Sequence, residues 1–434
     1  MKTALSVPLP TIHYPLPTTH YPLPSTLYPL PSTHYPLLVM SATSTATRTS
    51  TYAPPAASGR PTTRIASLDL VRGVVMVLMA IDHVRVYSGV PAGGPTPGVF
   101  FTRWVTHFCA PSFVFLAGTG AFLLGQRLGD TKALARYLLT RGLLLVALEL
   151  TLLHVAWTFT VDFTHLLAGV IWMLGWCMVL MAALVQLPPA AVGVIGLILI
   201  FGQNFLTPLA GLTPHAMQWF WQFLYLGGEV NVGPTSISIL YVLVPWIGVM
   251  AAGYGFGMIV VRGDDERHRL SLRIGLAATA LFAVIAAIIV ARNPAPAGAP
   301  PAFLRALNQQ KYPASPLFLM MTLGPMIALI PLAEKARGWW AKGVTTFGRV
   351  PMFYYLLHIP LIHAVALVVW LVRDGTVGAS RFDSAPYVSI PPADRWSLGL
   401  LYLVFAICVA LLYVPCRWYA ARKATRPAAW MRYI

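Results

Sequence analysis

Long apolar segments limit what this chain can fold into more than any single motif does. Ten of them are centred near residues 77, 114, 145, 175, 199, 248, 281, 325, 360 and 408. An α-helix needs about 20 residues to cross a bilayer core about 30 Å thick. Of the 434 residues, 57% are hydrophobic and only 10% are charged, whereas about a quarter are charged in soluble domains. We therefore predict an all-α, polytopic membrane bundle of about ten transmembrane helices, with the lipid bilayer as a partner and no nucleic acid.

The first 63 residues differ from the rest of the chain. They contain a seven-residue unit written four times, as TIHYPLP, TTHYPLP, STLYPLP and STHYPLL, and then a stretch rich in Ser, Thr and Ala. Proline lacks the N–H that a helix or sheet uses, and the segment has too little apolar bulk for a core. We predict a disordered Pro-rich tail over residues 1–63, a membrane domain over residues 64–420 and a basic cytoplasmic tail over residues 421–434. Met40 is a candidate alternative translation start.

Basic residues fall on alternate connections between the apolar segments, in clusters such as RGDDERHRLSLR, EKARGWWAK and CRWYAARKATR. Lys and Arg concentrate on the cytoplasmic side of membrane proteins, so we interpret the net charge of +17 as a signal of orientation. The pattern predicts that both termini are cytoplasmic. We interpret residues 209–235 as interfacial or re-entrant, because counting them as a span would reverse every later segment and conflict with the basic clusters.

Ionisable side chains inside the segments form two layers. In SLDLVRGVVMVLMAIDHVR, nine uncharged residues precede a group of three ionisable ones. A charge at membrane depth costs at least about 2.5 kcal/mol, so such side chains usually pair, line a wet cavity or do chemistry. The outer layer contains Asp82, His83, Arg85, His107, Glu149 and His358, with Lys311 and Tyr312 just outside the eighth segment. The inner layer contains Asp69, Arg72, Arg136, Arg141 and Arg349.

Helical periodicity connects the two layers along the first segment. At 100° per residue, one stripe contains Asp69, Arg72, Met76, Met79 and His83. This stripe is either a passage between the layers or a packed face with the ion pairs Asp69–Arg72 and Asp82–Arg85 at its ends. For His83, together with His107 and Glu149, we favour a functional role.

Four stretches carry a resemblance to a known family. They are SLDLVRGVVMVLMAIDHVR, FCAPSFVFLAGTGAFL, KYPASPLFLMMTLGP and FGRVPMFYYLLHIPLIH. Over about residues 64–420 the chain resembles a bacterial branch of the heparan-alpha-glucosaminide N-acetyltransferase catalytic-domain family. The resemblance implies a multi-pass bacterial inner-membrane protein that takes acetyl-CoA, or another acyl-CoA, from the cytosol and acylates an acceptor on the outer face. It also implies a catalytic histidine in the first outer loop, where SGVPAGGPTPGVFFTRW has none.

The resemblance and the residue chemistry together suggest candidate roles. The pKa of histidine lies near neutrality, which suits a general base for an attacking amine or hydroxyl, and arginine forks suit phosphate oxygens. The candidate catalytic residues are His83 or His107 as the base, Asp82 or Glu149 as its orienting carboxylate, and His358. The candidate acyl-CoA-binding residues are Arg72, Arg141 and Arg349. The candidate acceptor-binding residues, for a saccharide or a lipid-linked sugar, are Arg85, Lys311 and Tyr312, and we expect no metal.

Other function classes stay open. A proton-coupled transporter or exporter would also place Asp, Glu and His inside membrane helices, and Pro245, Pro325 and Pro360 would then mark broken helices. We find no second copy of LDLVRG or YLLHIPLIH, and the lack of an internal repeat argues against a transporter. A membrane scaffold without chemistry would leave Glu149 unexplained. Within the resembling family, this branch either uses His83 or His107 in place of the loop histidine, transfers another group, or transfers nothing.

Overall fold

The part of the chain that the computed structural model describes is mostly helical, and it comprises residues 66–94, 96–296, 298–378, 390–426 and 428–433. The predicted disordered tail lies outside these residues. The main helices are α1 (Ala66–Ser88), α2 (Pro97–Leu128), α3 (Thr131–Thr158), α4 (Val170–Leu184), α5 (Pro189–Gly211), α6 (Trp246–Val260), α7 (Asp264–Arg292), α8 (Pro316–Lys335), α9 (Trp339–Arg349), α10 (Pro351–Asp374) and α11 (Leu398–Thr425). The strands are β1 (His165–Ala168), β2 (Gly228–Val232) and β3 (Thr235–Ile239).

Each predicted apolar segment lies on one of these helices. Among the described residues, seven helices are long and apolar enough to cross a membrane, namely α2, α3, α5, α7, α8, α10 and α11. Helices α4 and α6 are apolar but shorter, and α1 carries four charged side chains. The protein is therefore a multi-pass membrane protein. A count of ten spans, with α1, α4 and α6 as the other three, stays a prediction.

Capping side chains explain where several helices begin. The Asp130 carboxylate accepts a hydrogen bond from the N–H of Lys132 at the start of α3. The Ser315 hydroxyl accepts from the N–H of Phe318 at the start of α8, where proline occupies the first helical position. Helix α2 ends at Gly129, whose φ of 63° is the left-handed conformation that glycine adopts most readily.

Glycines let the central helices approach at backbone distance. A Cβ added to Gly118 of α2 would lie 1.9 Å from the carbonyl oxygen of Met250 in α6. A Cβ added to Gly348 of α9 would lie 1.8 Å from the carbonyl oxygen of Asp69 in α1. Small residues at helix contacts are typical of membrane bundles, where close packing replaces the hydrophobic effect as the source of association. These contacts hold α2 closely against α6, and α9 closely against α1.

The prediction of an all-α fold missed a small sheet. In it β3 is central, pairing in parallel with β1 and antiparallel with β2. The stretch before β2 forms only short helical turns, Gln218–Trp221 and Gln222–Leu226, so the described residues 209–235 contain no spanning helix. Short, polar-flanked strands far apart in sequence give little periodic signal, which is why the sheet was missed.

Candidate active site

A cavity of about 320 Å³ lies between α1, α2, α3, α4 and α10. The charged side chains that line it are all cations, within the part of the chain that the structure describes. They are Arg72, Arg141, Arg349 and Lys423, from four different helices, and we call this region the basic end. The three arginines predicted as acyl-CoA ligands thus share one cavity. Sequence reasoning did not single out Lys423, because nothing local connects the end of α11 with α1 or α3.

The cations of the basic end differ in how firmly they are held. Arg72 forms an ion pair with Asp69, with 3.2 Å between Nη1 and Oδ1, which is one of the two pairs named in the packed-face alternative for α1. Nη1 of Arg141 donates to the hydroxyl of Tyr137, another lining residue, over 2.7 Å. Arg349 is exposed at the end of α9. Because the positive charge exceeds the negative charge here, the basic end suits an anion such as a phosphate group.

Helical periodicity leads from the cavity toward two histidines. On α10, Tyr355 lines the cavity and His358 follows on the same face, one turn further on. On α1, Met76 lines the cavity and His83 follows two turns, or about 10 Å, further on. The Tyr355 ring meets both imidazoles edge-on, with centroid distances of 6.1 Å to His83 and 5.0 Å to His358. The two histidines lie just beyond the Tyr355 side of the cavity, and we call this region the histidine end.

His83 and His358 are in direct contact, although 275 residues separate them in sequence. Nδ1 of His83 lies 2.5 Å from Nε2 of His358, and the rings stack with centroids 4.7 Å apart. Nδ1 of His358 lies 2.7 Å from the carbonyl oxygen of Tyr355. A carbonyl only accepts, so this nitrogen carries the proton, and Nε2 of neutral His358 accepts the N–H of His83. A neutral His83 therefore keeps its lone pair on Nε2.

Burial fixes the histidine pair further. His358 is completely buried, and Tyr354 stacks on its ring at 5.2 Å. His83 is half-buried, and Trp157 contacts its ring edge-on at 4.9 Å. Since aromatic rings pack around both imidazoles, neither can rotate freely, and the tautomers that the hydrogen bonds dictate are held in place.

Asp82 and Arg85 lie beside His83 but bind each other. Nε of Arg85 donates to Oδ1 of Asp82 over 3.0 Å, which is the second pair named in the packed-face alternative for α1. Lys311 is 92% buried, as its relative exposure is 8%. Its ammonium lies over the rings of Tyr241 and Tyr312, at 5.8 and 5.2 Å from their centroids, and within electrostatic range of Asp82. The three predicted acceptor-binding residues thus belong to one polar neighbourhood around Asp82.

His107 lies in a 3₁₀ turn, Val105–Phe108, that interrupts α2. His107 is buried, with a relative exposure of 5%, and its ring packs edge-on against Phe318. Within the described residues neither ring nitrogen has a hydrogen-bond partner. Lys311 and Asp82 lie within electrostatic range of it. His107 therefore belongs to the polar neighbourhood of Asp82, whereas the direct partner of His83 is His358.

Glu149 occupies a π-helical turn, Glu149–Leu153, near the end of α3. It is buried, and its carboxylate faces the backbone N–H groups of Gly169 and Ile171, at the start of α4, while Oε2 has no hydrogen-bond partner among the described residues. A carboxylate at a helix N-terminus satisfies unpaired N–H groups and the helix dipole. The geometry thus offers a structural role for Glu149, and its predicted role in orienting a histidine stays a prediction.

The described residues contain no group of three or more His, Cys, Asp or Glu side chains that could hold a metal ion.

Two lining residues that sequence reasoning missed are aromatic, Tyr137 and Tyr355. Tyr355 could have been identified from the sequence, because it lies three residues before His358 and therefore on the same face of α10.

Comparison with known proteins identifies the family. The model of the family described as heparan-alpha-glucosaminide N-acetyltransferase, catalytic, matches residues 64–289, which is more than half of the chain. The chain therefore belongs to this family of membrane acetyltransferase type, as its motifs predicted. The matched range contains His83, His107, Glu149, Arg72 and Arg141, while Arg349, His358 and Lys423 lie beyond it. No curated protein matches the chain.

Proposed function

We propose that this protein moves an acetyl or other acyl group from a cytosolic acyl-CoA to a sugar amine or hydroxyl on the outer face of a bacterial inner membrane. The observation that carries the proposal is the single cavity with cations at one end and a hydrogen-bonded histidine pair beyond the other. Family membership supports acetyl transfer as the chemistry. The proposal goes beyond family membership in naming an acyl-CoA donor, a sugar acceptor and transfer from the cytosol to the outer face.

The cavity walls support the choice of donor. Arg72, Arg141, Arg349 and Lys423 supply charge for the phosphates of an acyl-CoA. Between the basic end and Tyr355 the lining is apolar, as at Met76, which suits the slender pantetheine arm. With its phosphates at the basic end, the donor would point its thioester toward the histidine pair.

His83 is the general base in this proposal. Its Nε2 lone pair accepts the proton of the acceptor amine or hydroxyl as the nucleophile attacks the thioester carbonyl. A C–N or C–O bond forms, the C–S bond breaks, and the proton passes from His83 to the departing sulfur, which leaves as the thiol of coenzyme A. His358 is the orienting residue, because its Nε2 accepts the Nδ1–H of His83 and so holds the reactive tautomer.

The neighbourhood of Asp82 would hold the acceptor. Arg85 and Lys311 contribute cationic donors and Tyr312 contributes a hydroxyl, and all three lie on the predicted outer side. The described helices give the transporter alternative no specific support. Pro245 precedes α6, and α8 and α10 run unbroken through Pro325 and Pro360. The described helices therefore lack, at these three prolines, the breaks that the transporter alternative would require.

The test is acyl transfer by the purified protein in detergent and in proteoliposomes. Radiolabelled acetyl-CoA is offered with a panel of amino sugars and neutral sugars, and labelled product and free thiol are both measured. We expect product with at least one acceptor, loss of product in His83→Ala, and full activity in His215→Ala, which changes an exposed histidine. Solute uptake driven by a pH gradient, without binding or consumption of acetyl-CoA, would instead establish a transporter.

A further inference from the structure

A tyrosine ring forms part of the basic end. Tyr137 of α3 lines the cavity beside Arg141, and its hydroxyl accepts from the guanidinium of that residue. Lys423 also lines the cavity. An aromatic face next to two cations is the arrangement with which proteins bind a nucleobase and its attached phosphates together.

In this structure a segment near the C-terminus covers the Tyr137 ring. After α11 the chain forms a 3₁₀ turn, Ala429–Arg432, and Met431 is buried in the core of the bundle. The next residue but one, Tyr433, stacks on Tyr137 with centroids 5.7 Å apart and an interplanar angle of 21°. Trp430 packs against Tyr419 at 6.1 Å. One face of the Tyr137 ring therefore accepts a flat ring, and Tyr433 supplies it.

We propose that Tyr137 is the base-stacking residue of the donor site, and that the adenine ring of the donor takes the place that Tyr433 occupies here. The proposal rests on the proposed function, since it requires a nucleotide-bearing donor. The phosphates of such a donor are covalently tied to its base. A donor whose phosphates meet Arg141 and Lys423 places its base one ribose away from them, and Tyr137 is the aromatic residue that lines the cavity beside Arg141.

The proposal assigns opposite effects to the two tyrosines. Removing the platform in Tyr137→Leu should weaken binding of acyl-CoA by about tenfold or more, the size of one lost base–aromatic stack. Removing the competitor in Tyr433→Ala should strengthen it by about two- to tenfold, the size of a released aromatic pair. Acetyl-phosphopantetheine, which lacks the nucleoside, should bind both variants as it binds the unchanged protein.

The experiment measures dissociation constants of the purified full-length protein for acetyl-CoA and acetyl-phosphopantetheine. Tyr137→Phe is the matched control, because it keeps the ring and loses only the hydrogen bond to Arg141, so its preference for acetyl-CoA should persist. The proposal is overturned if Tyr137→Leu weakens both donors equally or neither, or if Tyr433→Ala leaves acetyl-CoA binding unchanged. The second criterion holds even where Tyr137→Leu fails to fold. Failure of the unchanged protein to bind either donor would refute the proposed function itself.

Discussion

The two ends of the cavity are built differently. At the basic end four cations converge from four helices, and one of them, Arg349, is exposed to solvent. At the histidine end His358 is completely buried, and its two ring nitrogens are committed to the Tyr355 carbonyl and to His83. An accessible surplus of charge suits a ligand that arrives and leaves. A buried, hydrogen-bonded imidazole pair suits a group whose tautomer must not change. Under the proposed function, the basic end would bind the donor and the histidine end would carry out the chemistry, so variants at each end should affect different kinetic constants.

The largest effect should follow from His83→Ala. Loss of a general base typically lowers a rate by about 10²- to 10⁴-fold, so kcat should fall by this amount while the dissociation constant for acyl-CoA stays the same. Rapid-mix assays of labelled product together with binding measurements separate the two. If His83→Ala weakens acyl-CoA binding and leaves kcat intact, the assignment of chemistry to this end is wrong.

His358 should matter less, because it acts through His83. In His358→Leu the Nδ1–H of His83 loses its acceptor, and we expect kcat to fall by about ten- to a hundredfold, as for other orienting partners. His358→Gln offers a side-chain oxygen in place of Nε2 and should recover part of the activity. A purely structural role predicts instead that both variants lose thermal stability and activity in parallel.

At the basic end, Arg141→Gln and Arg349→Gln should raise KM for acyl-CoA by about tenfold each, which corresponds to one charged hydrogen bond to phosphate. The value of kcat should not change. Salt should raise KM in the unchanged protein and less so in Arg349→Gln, because the exposed cation is the one that ions screen. Arg136→Gln is the matched control, since Arg136 is an exposed cation of the same helix as Arg141 that does not line the cavity.

The basic end was more predictable from the sequence than the histidine end. Hydropathy located every main apolar helix. Positive-inside clustering predicted the orientation, and helical periodicity put Arg72 and His83 on one stripe of α1. The partner of His83 was not predictable, because a contact across 275 residues depends on how α1 and α10 pack and no local pattern encodes that. The same holds for Lys423 on α11. Charge is a property of composition, whereas hydrogen-bond pairing is a property of tertiary structure.

We expect the smallest effect on activity at Glu149. The size of that effect decides whether this residue has a structural or a chemical role. If its carboxylate stabilises the N-terminus of α4, Glu149→Gln should keep near-normal kcat, because an amide oxygen still faces the N–H groups of Gly169 and Ile171. Gly169→Ala should then lower the melting temperature in detergent. An added Cβ would lie 2.2 Å from Oε1 of Glu149, and such overpacking costs about 1–3 kcal/mol. Should Glu149→Gln instead lose activity to the extent of His83→Ala at unchanged melting temperature, Glu149 takes part in the chemistry. The histidine pair would then need the Glu149 carboxylate as an orienting group, as the sequence suggested. Helix α3 would in that case contribute a chemical group as well as structural ones.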